Sequence, residues 1–226
     1  MTNPFKDVLN SKVILLTGTN TTANHPIIAN YIHEAVTKRG AKLIVVDPRR
    51  IKLVDIATLW LRPRVGTNVA WINGLMHVII SENLQAQAYI DERTTGFEEL
   101  KKCLAKYTPK YVADITCIPE KDLTAAARLY ATSGAGSIFY AMGITQHTSG
   151  TNNVKSLAAL SMLCGNIGIS GGGVNPLRGQ NNVQGACDMG GLPNVFSGYQ
   201  AVTSEEIRNK FAKAWNVPSL PDKVGM

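Results

Sequence analysis

Two apolar, β-branched runs near the start of the chain have the length of buried strands. Residues 12–17 (KVILLT) and 41–46 (AKLIVV) carry few polar side chains, as expected of strands covered on both faces. Between them, apolar residues recur at helical spacing from Pro26, which suits a first turn, to Gly40, which can end a helix. This strand, helix and strand with short loops predict a right-handed crossover and a parallel pair.

Strand-length apolar runs and helical spacing of apolar residues continue along the chain. Apolar runs of strand length occur at residues 59–61 and 137–141, and amphipathic helical patterns lie between and after them. The pattern therefore predicts a Rossmann-like, doubly wound α/β fold, with a mainly parallel sheet and helices on both of its faces. The predicted helices cover residues 67–82, 84–90, 97–106, 119–134 and 152–163.

The composition changes after Gly165. The segment that follows is rich in glycine and asparagine and has no sustained period, which is typical of a long functional loop. A last helix is predicted at residues 204–215, with Thr203 opening a capping box. We therefore expect a dinucleotide-binding-like α/β domain at residues 1–175, and an irregular segment with the terminal helix at residues 176–226.

Composition narrows the possible partners. The formal charge is +7, from 23 Lys and Arg against 16 Asp and Glu, which favours anionic ligands such as a phosphorylated cofactor. The basic residues are dispersed, so nucleic-acid binding is not expected. No run reaches the ~20 apolar residues of a membrane span, and the start has no secretory leader. We expect no membrane insertion and favour the cytoplasm, with a periplasmic parent protein as the alternative.

Cysteines and histidines form no metal-binding pattern. The four cysteines are far apart without a CxxC pair, and no two of the four histidines have ligand spacing. No Ser or Cys lies in a nucleophile elbow. We therefore expect no metal held by side chains of this chain, and no complete set of catalytic residues.

Three early loops are candidates for ligand binding, at residues 18–26, 47–50 and 66–68. Each follows a predicted strand, and ligands of open parallel sheets bind beyond the carboxyl ends of the strands. The first loop lacks the GxGxxG spacing of nicotinamide sites. In the second, Asp47 can accept hydrogen bonds from a ribose or a guanine edge, although Asp47 and Pro48 are also a common turn. The third serves equally well as a helix cap.

Two later segments are also candidates. Residues 141–146 follow the last predicted strand, and Arg178 lies in a polar, glycine-rich stretch. A guanidinium in such a place can hold a carboxylate or phosphate with two hydrogen bonds. The alternative is a solvated surface arginine.

Residues 178–190 (RGQNNVQGACDMG) form the most specific string in the chain. VNP precedes it and LPNVFSGYQ follows it, and the chain also contains, in order, NHPIIAN, AKLIVVDPR, HVIISENL, AMGITQ and, near its end, FAKAWNVPSLP. Together these strings resemble the catalytic subunit of molybdenum- or tungsten-dependent formate dehydrogenases, within the larger molybdopterin oxidoreductase family. The resemblance covers nearly the whole chain.

The resemblance implies a cofactor and a reaction. In that family, molybdenum or tungsten is held by two molybdopterin guanine dinucleotides, a 4Fe-4S cluster lies nearby, and formate is oxidised to carbon dioxide. The resemblance places the cluster and the metal ligand in an N-terminal part that this chain lacks, and a further cofactor domain after it. We therefore expect a central fragment, inactive alone, whose partners are formate, the remainder of its own subunit and electron-transfer subunits.

The resemblance also assigns residues by match of motif. Arg178, with Gln180 beside it, would lie nearest the metal, where the arginine orients formate. The loop GTNTTANHP departs from relatives, which often carry proline and an acid there. The cofactor-binding residues would be Gly18, Asn20 and Asn24 along one dinucleotide, Asp47 and Arg49 at its guanosine end, Gly66, Thr67 and Asn68 at a phosphate, and Met142, Gly143 and Gln146 on the pterin side.

Two alternatives to this function stay open. The chain could be a stand-alone nucleotide-binding or interaction module without catalysis. It could also be part of another molybdopterin oxidoreductase, such as a nitrate reductase.

Overall fold

The computed structural model describes residues 1–224. The chain divides into two compact units, one from Met1 to Leu177 and the other from Arg178 onward. The functional division expected at residues 175 and 176 stays a prediction. Among the described residues, no helix is both long and apolar enough to span a bilayer.

The first unit is built on a five-stranded parallel sheet with the order β3-β2-β1-β4-β5. This arrangement confirms the predicted doubly wound α/β class, because the strand order reverses its direction between β1 and β4. The strands are β1 (Val13–Thr17), β2 (Lys42–Val46), β3 (Leu59–Leu61), β4 (Gly136–Tyr140) and β5 (Val174–Pro176).

Helices connect these strands and cover both faces of the sheet. Nine are α-helical: α1 (Thr21–Asn24), α2 (Pro26–Thr37), α3 (Asn68–Ser81), α4 (Gln87–Arg93), α5 (Phe97–Leu104), α6 (Pro109–Thr116), α7 (Glu120–Thr132), α8 (Met142–Thr145) and α9 (Gly150–Leu163). Two 3-10 helices lie at Phe5–Asn10 and Lys52–Ile56.

Alternate residues of β1 enter two separate apolar cores. Val13 and Leu15 pack on one face with residues of α3, α7 and α9, while Ile14 and Leu16 pack on the other with residues of α2. All five residues of β1 are buried, which explains why this strand has an uninterrupted apolar sequence.

α6 and β5 are not predicted by the sequence pattern, and one short helix begins later than predicted. Thr108 caps α6 by accepting a hydrogen bond from the Tyr111 amide at 3.3 Å, so a Thr-Pro start signal was present. β5 has only three residues and contains Pro176, which is tolerated because β5 is an edge strand. The helix expected at residues 84–90 is α4, which begins at Gln87.

Asp7 anchors the first 3-10 helix to the loop before β5. Its carboxylate accepts hydrogen bonds from the side chains of Asn3, Asn10 and Ser170 and from the amide of Gly171, at 2.7–2.8 Å. Partial burial works against ionisation, but these four bonds outweigh it and lower the pKa of Asp7 to about 2. The N-terminal segment is therefore tied to the amino edge of the sheet.

The second unit contains a short helix, a two-stranded antiparallel ribbon and a terminal helix. These are α10 (Val183–Asp188), β6 (Val195–Phe196), β7 (Gln200–Ala201) and α11 (Glu205–Trp215). Rings of Phe196, Phe211 and Trp215 pack together within the unit. The predicted cap at Thr203 is wrong, because the hydroxyl of Ser204 accepts the hydrogen bond from the Ile207 amide.

Candidate functional site

The loops predicted to bind a ligand lie at the carboxyl edge of the sheet in the first unit. Thr17 at the end of β1 is in register with Val46 of β2 and with Tyr140 of β4. Gly18 and Asp47 therefore leave the sheet side by side with the loop that follows β4. This is the edge at which the strand order reverses, where doubly wound sheets form a crevice.

Gly18 and Gly143 bring the loops after β1 and β4 into backbone contact. The Gly143 amide donates a hydrogen bond to the Gly18 carbonyl at 3.0 Å. Gly18 has φ +58°, and a Cβ atom on it would lie 2.6 Å from the Gly143 carbonyl carbon. A Cβ on Gly143 would lie 2.7 Å from the Gly18 Cα. Both positions therefore require glycine for packing, before any ligand is considered.

Several other side chains of these two loops are accessible. The Thr22 hydroxyl donates to the Asn20 side chain at 3.2 Å, and Asn24 is exposed at the end of α1. On the other side, Met142 is 58% exposed and Gln146 is also exposed. These side chains are available to a ligand beyond the sheet edge.

Asp47 is a buried carboxylate at the end of β2, only 3% exposed. Burial raises its pKa, and this effect is partly offset by a 2.8 Å hydrogen bond from the Arg49 amide and by the Arg49 charge 3.9 Å away. The hydrogen bond from the Arg49 amide to the Asp47 carboxylate shows that the turn at Asp47 and Pro48, expected as the alternative to ligand binding, is formed. A turn does not remove the carboxylate from ligand chemistry, because a carboxylate has two oxygens that each accept more than one bond.

The third loop opens α3 at Gly66, Thr67 and Asn68. Gly66 has φ +86° and no atom within 4 Å of a Cβ position, so open space surrounds it. The Thr67 hydroxyl donates to the Arg64 carbonyl, and the Asn68 side chain accepts from the Trp71 indole. Thr67 occupies the N-cap position of α3, as predicted, but neither side chain makes a capping bond to the helix.

Next to this loop is a cavity of about 580 Å³ that the sequence analysis did not identify. The Arg62 guanidinium lies over the Trp60 ring at 5.0 Å, and Arg64 donates to the Cys117 sulfur at 3.2 Å. Two arginines directly after β3, Arg62 and Arg64, are the signal that the sequence offers for this cavity. The cavity is lined by Pro48, Trp60, Arg62, Pro63, Arg64, Cys117, Pro119 and Asp122.

Arg178 and Gln180 belong to the second unit, where both are exposed. Within that unit, a hydrogen bond from the Tyr199 hydroxyl to Asp188 raises the pKa of Tyr199, and the positive charge of Arg178 acts in the opposite direction. Arg178 therefore lies close enough to Tyr199 for its charge to act on that hydroxyl. The other predicted site residues lie in the first unit.

One protein family and several known proteins are similar to this chain. Residues 1–222 match the family described as molybdopterin oxidoreductase. The chain is 50% identical to F420-dependent formate dehydrogenase 1 subunit alpha of Methanococcus maripaludis, over 100% of this chain and 33% of the relative. It is 46% identical to formate dehydrogenase H of Escherichia coli, over 100% of this chain and 31% of the relative.

A solved structure, acetylene hydratase from Pelobacter acetylenicus, has a similar fold. The TM-score is 0.59 at 30% identity, covering 76% of this chain and 24% of that chain. The resemblance deduced from the sequence strings is thus confirmed. This chain spans about a third of the length of the curated relatives it matches.

The contact between Gly18 and Gly143 generates a stability prediction. We expect Gly143→Ala to lower the free energy of unfolding by about 1 to 3 kcal/mol, because its methyl group would overlap the Gly18 backbone. Denaturant titration followed by circular dichroism measures this loss. Gly179→Ala is the matched control, since no atom lies within 4 Å of its Cβ position. Equal stability of the two variants would contradict the assigned contact.

Proposed function

This chain belongs to the molybdopterin oxidoreductase family, and from that premise we propose that it is the part of a formate dehydrogenase catalytic subunit that holds one molybdopterin guanine dinucleotide. We further propose that Arg178 orients formate for oxidation to carbon dioxide. The observation that carries the proposal is the convergence of the loops after β1, β2 and β4 at one sheet edge.

The residues at this edge fit a ligand with phosphates and a purine base. The open space around Gly66 leaves room for close approach to the backbone at the start of α3, and helix starts favour phosphate groups. Arg62 and Arg64 add positive charge in the neighbouring cavity. Asp47 supplies a carboxylate that can accept hydrogen bonds from the N–H groups of guanine.

The cofactor, when bound, supplies a molybdenum or tungsten ion that takes the two electrons lost by formate. The residues of this chain would bind the cofactor and orient the substrate. Gly18, Asn20 and Asn24 would line one dinucleotide, and Gly143 would lie on the pterin side. Arg178 would hold both oxygens of formate. In the complete enzyme, a 4Fe-4S cluster outside this chain and electron-transfer subunits would be the acceptors of those electrons.

The formate branch is supported by the degree of similarity. Identity is 50% and 46% to two proteins named as formate dehydrogenases, against 30% to the structure named as an acetylene hydratase. The Arg178 side chain also suits formate, because a planar guanidinium matches the two oxygens of a carboxylate.

Binding of guanosine diphosphate by the 226-residue chain tests the cofactor proposal. We expect a dissociation constant on the order of 0.1 to 1 mM, since one half of an enclosing site leaves much of the ligand in water. In calorimetric titrations, Asp47→Ala should lower the affinity for guanosine diphosphate several-fold more than the affinity for adenosine diphosphate. Asp55→Ala, which removes an exposed acid paired with Arg50, is the control and should change neither affinity. Binding of both nucleotides independently of Asp47 would reject the guanosine assignment.

The role of Arg178 is tested in the complete, cofactor-loaded enzyme. Arg178→Lys keeps the charge but lets formate rotate, and a misplacement near 1 Å can cost roughly a hundredfold. We therefore expect kcat/KM for formate to fall at least about that much, and further for Arg178→Ala. Kinetics must be normalised to bound metal, with Arg39→Lys as an exposed-arginine control. Full activity per metal in Arg178→Ala would show that Arg178 does not orient substrate.

A further inference from the structure

Trp60 makes a specific contact with the loop that carries Asp47. Its indole N–H donates a hydrogen bond to the main-chain carbonyl of Asp47 at 3.0 Å. The amide of Asp47 in turn donates to the carbonyl of Leu61 at 3.2 Å. The backbone of Asp47 is therefore held on both sides by β3, once through a main-chain group and once through the Trp60 side chain.

The sequence around Asp47 leaves few other groups that could fix this loop. Pro48 has no N–H to donate, and a proline restricts the residue before it to extended conformations. Within the turn, the Arg49 amide donates to the Asp47 carboxylate at 2.8 Å. Loss of the indole bond would thus leave the Asp47 carbonyl without its side-chain donor and would loosen the orientation of the carboxylate.

The Trp60 ring is itself held in place. The Arg62 guanidinium, two residues further along the chain and just after β3, lies 5.0 Å from the ring centroid. Such a cation–π contact favours one position of a half-buried indole. Both side chains, together with Pro48, line the cavity beside the loop.

We propose that Trp60 is a positioning residue for nucleotide recognition: through its bond to the Asp47 carbonyl, it holds the Asp47 carboxylate in the orientation that selects guanine. This inference rests on the proposed function, because it assumes that Asp47 recognises the base. In that proposal the phosphates lie at the start of α3 and near Arg62 and Arg64, so their contacts do not depend on the N–H group of Trp60. A tryptophan that merely covered the sheet edge would affect stability but not the choice of base.

The test compares Trp60→Phe with the parent 226-residue chain. Phenylalanine keeps an aromatic ring under Arg62 but removes the N–H donor. We expect guanosine diphosphate affinity to fall about fivefold, as for a lost neutral hydrogen bond, and adenosine diphosphate affinity to change less than twofold. In an Asp47→Ala background, Trp60→Phe should have no further effect on guanosine diphosphate, because the two residues act in series.

A second readout needs no ligand. Trp60→Phe should accelerate hydrogen exchange of the Arg49 amide, because that amide donates to the Asp47 carboxylate. Trp215→Phe, at an exposed indole in the second unit, should change neither exchange at Arg49 nor the ratio of the two affinities. If the variant is less stable, the ratio of the two affinities stays a valid readout, because a loss of global stability alone weakens both nucleotides equally.

Failure of the proposed function and failure of the positioning role of Trp60 give different results. If the parent chain does not prefer guanosine diphosphate in an Asp47-dependent way, the proposed function fails, and the inference fails with it. If the parent chain does show this preference, but Trp60→Phe leaves both the affinity ratio and Arg49 exchange unchanged, the positioning role is overturned while the proposed function stands. A parallel loss of both affinities would also overturn it, since that is the effect of a purely structural residue.

Discussion

A backbone contact between two glycines controls the geometry of the carboxyl edge. The Gly143 amide reaches the Gly18 carbonyl at 3.0 Å, and neither residue has space for a Cβ atom. The contact joins the loops after β1 and β4, the two central strands between which the sheet order reverses. The crevice of a doubly wound fold lies at this reversal, so the spacing of its walls depends on these two residues.

The neighbouring loops follow from the same parallel arrangement. Because all five strands run in one direction, every loop after a strand leaves at one edge, which gathers Asp47 and Gly66 on the side of Gly18. The amino edge of the sheet has a structural role, because the hydrogen bonds of Asp7 tie the N-terminal segment to the loop before β5. The fold thus separates an anchoring edge from an edge suited to ligands.

Sequence pattern predicts the strands that are buried on both faces and the helices with one regular apolar face. β1 and β2 are recognisable as uninterrupted apolar runs, and α2 as a segment whose apolar residues recur at helical spacing. β5 was missed because three residues that include a proline have no measurable period, and only pairing with β4 makes them a strand. The register of β3 could not be read from the sequence either, so the contact of Trp60 with Asp47 and the nearby cavity were found only in three dimensions.

The candidate loops were located from topology, whereas their internal contacts were not. The position of a loop after a parallel strand determines the edge at which it lies. It does not show whether a glycine such as Gly143 faces a ligand or another backbone, because that depends on distances between loops that are far apart in sequence. The assignment of the two glycines to mutual packing therefore required the structure.

Hydrogen–deuterium exchange with and without guanosine diphosphate tests whether the carboxyl edge of the sheet is the nucleotide-binding surface. Saturating nucleotide should slow amide exchange in residues 18–25, 47–51, 66–70 and 141–146, and should leave exchange in the segment around Ser170 at the amino edge unchanged. Protection confined to the amino edge, or absent from the loops after β1 and β4 while nucleotide is bound, would contradict this assignment.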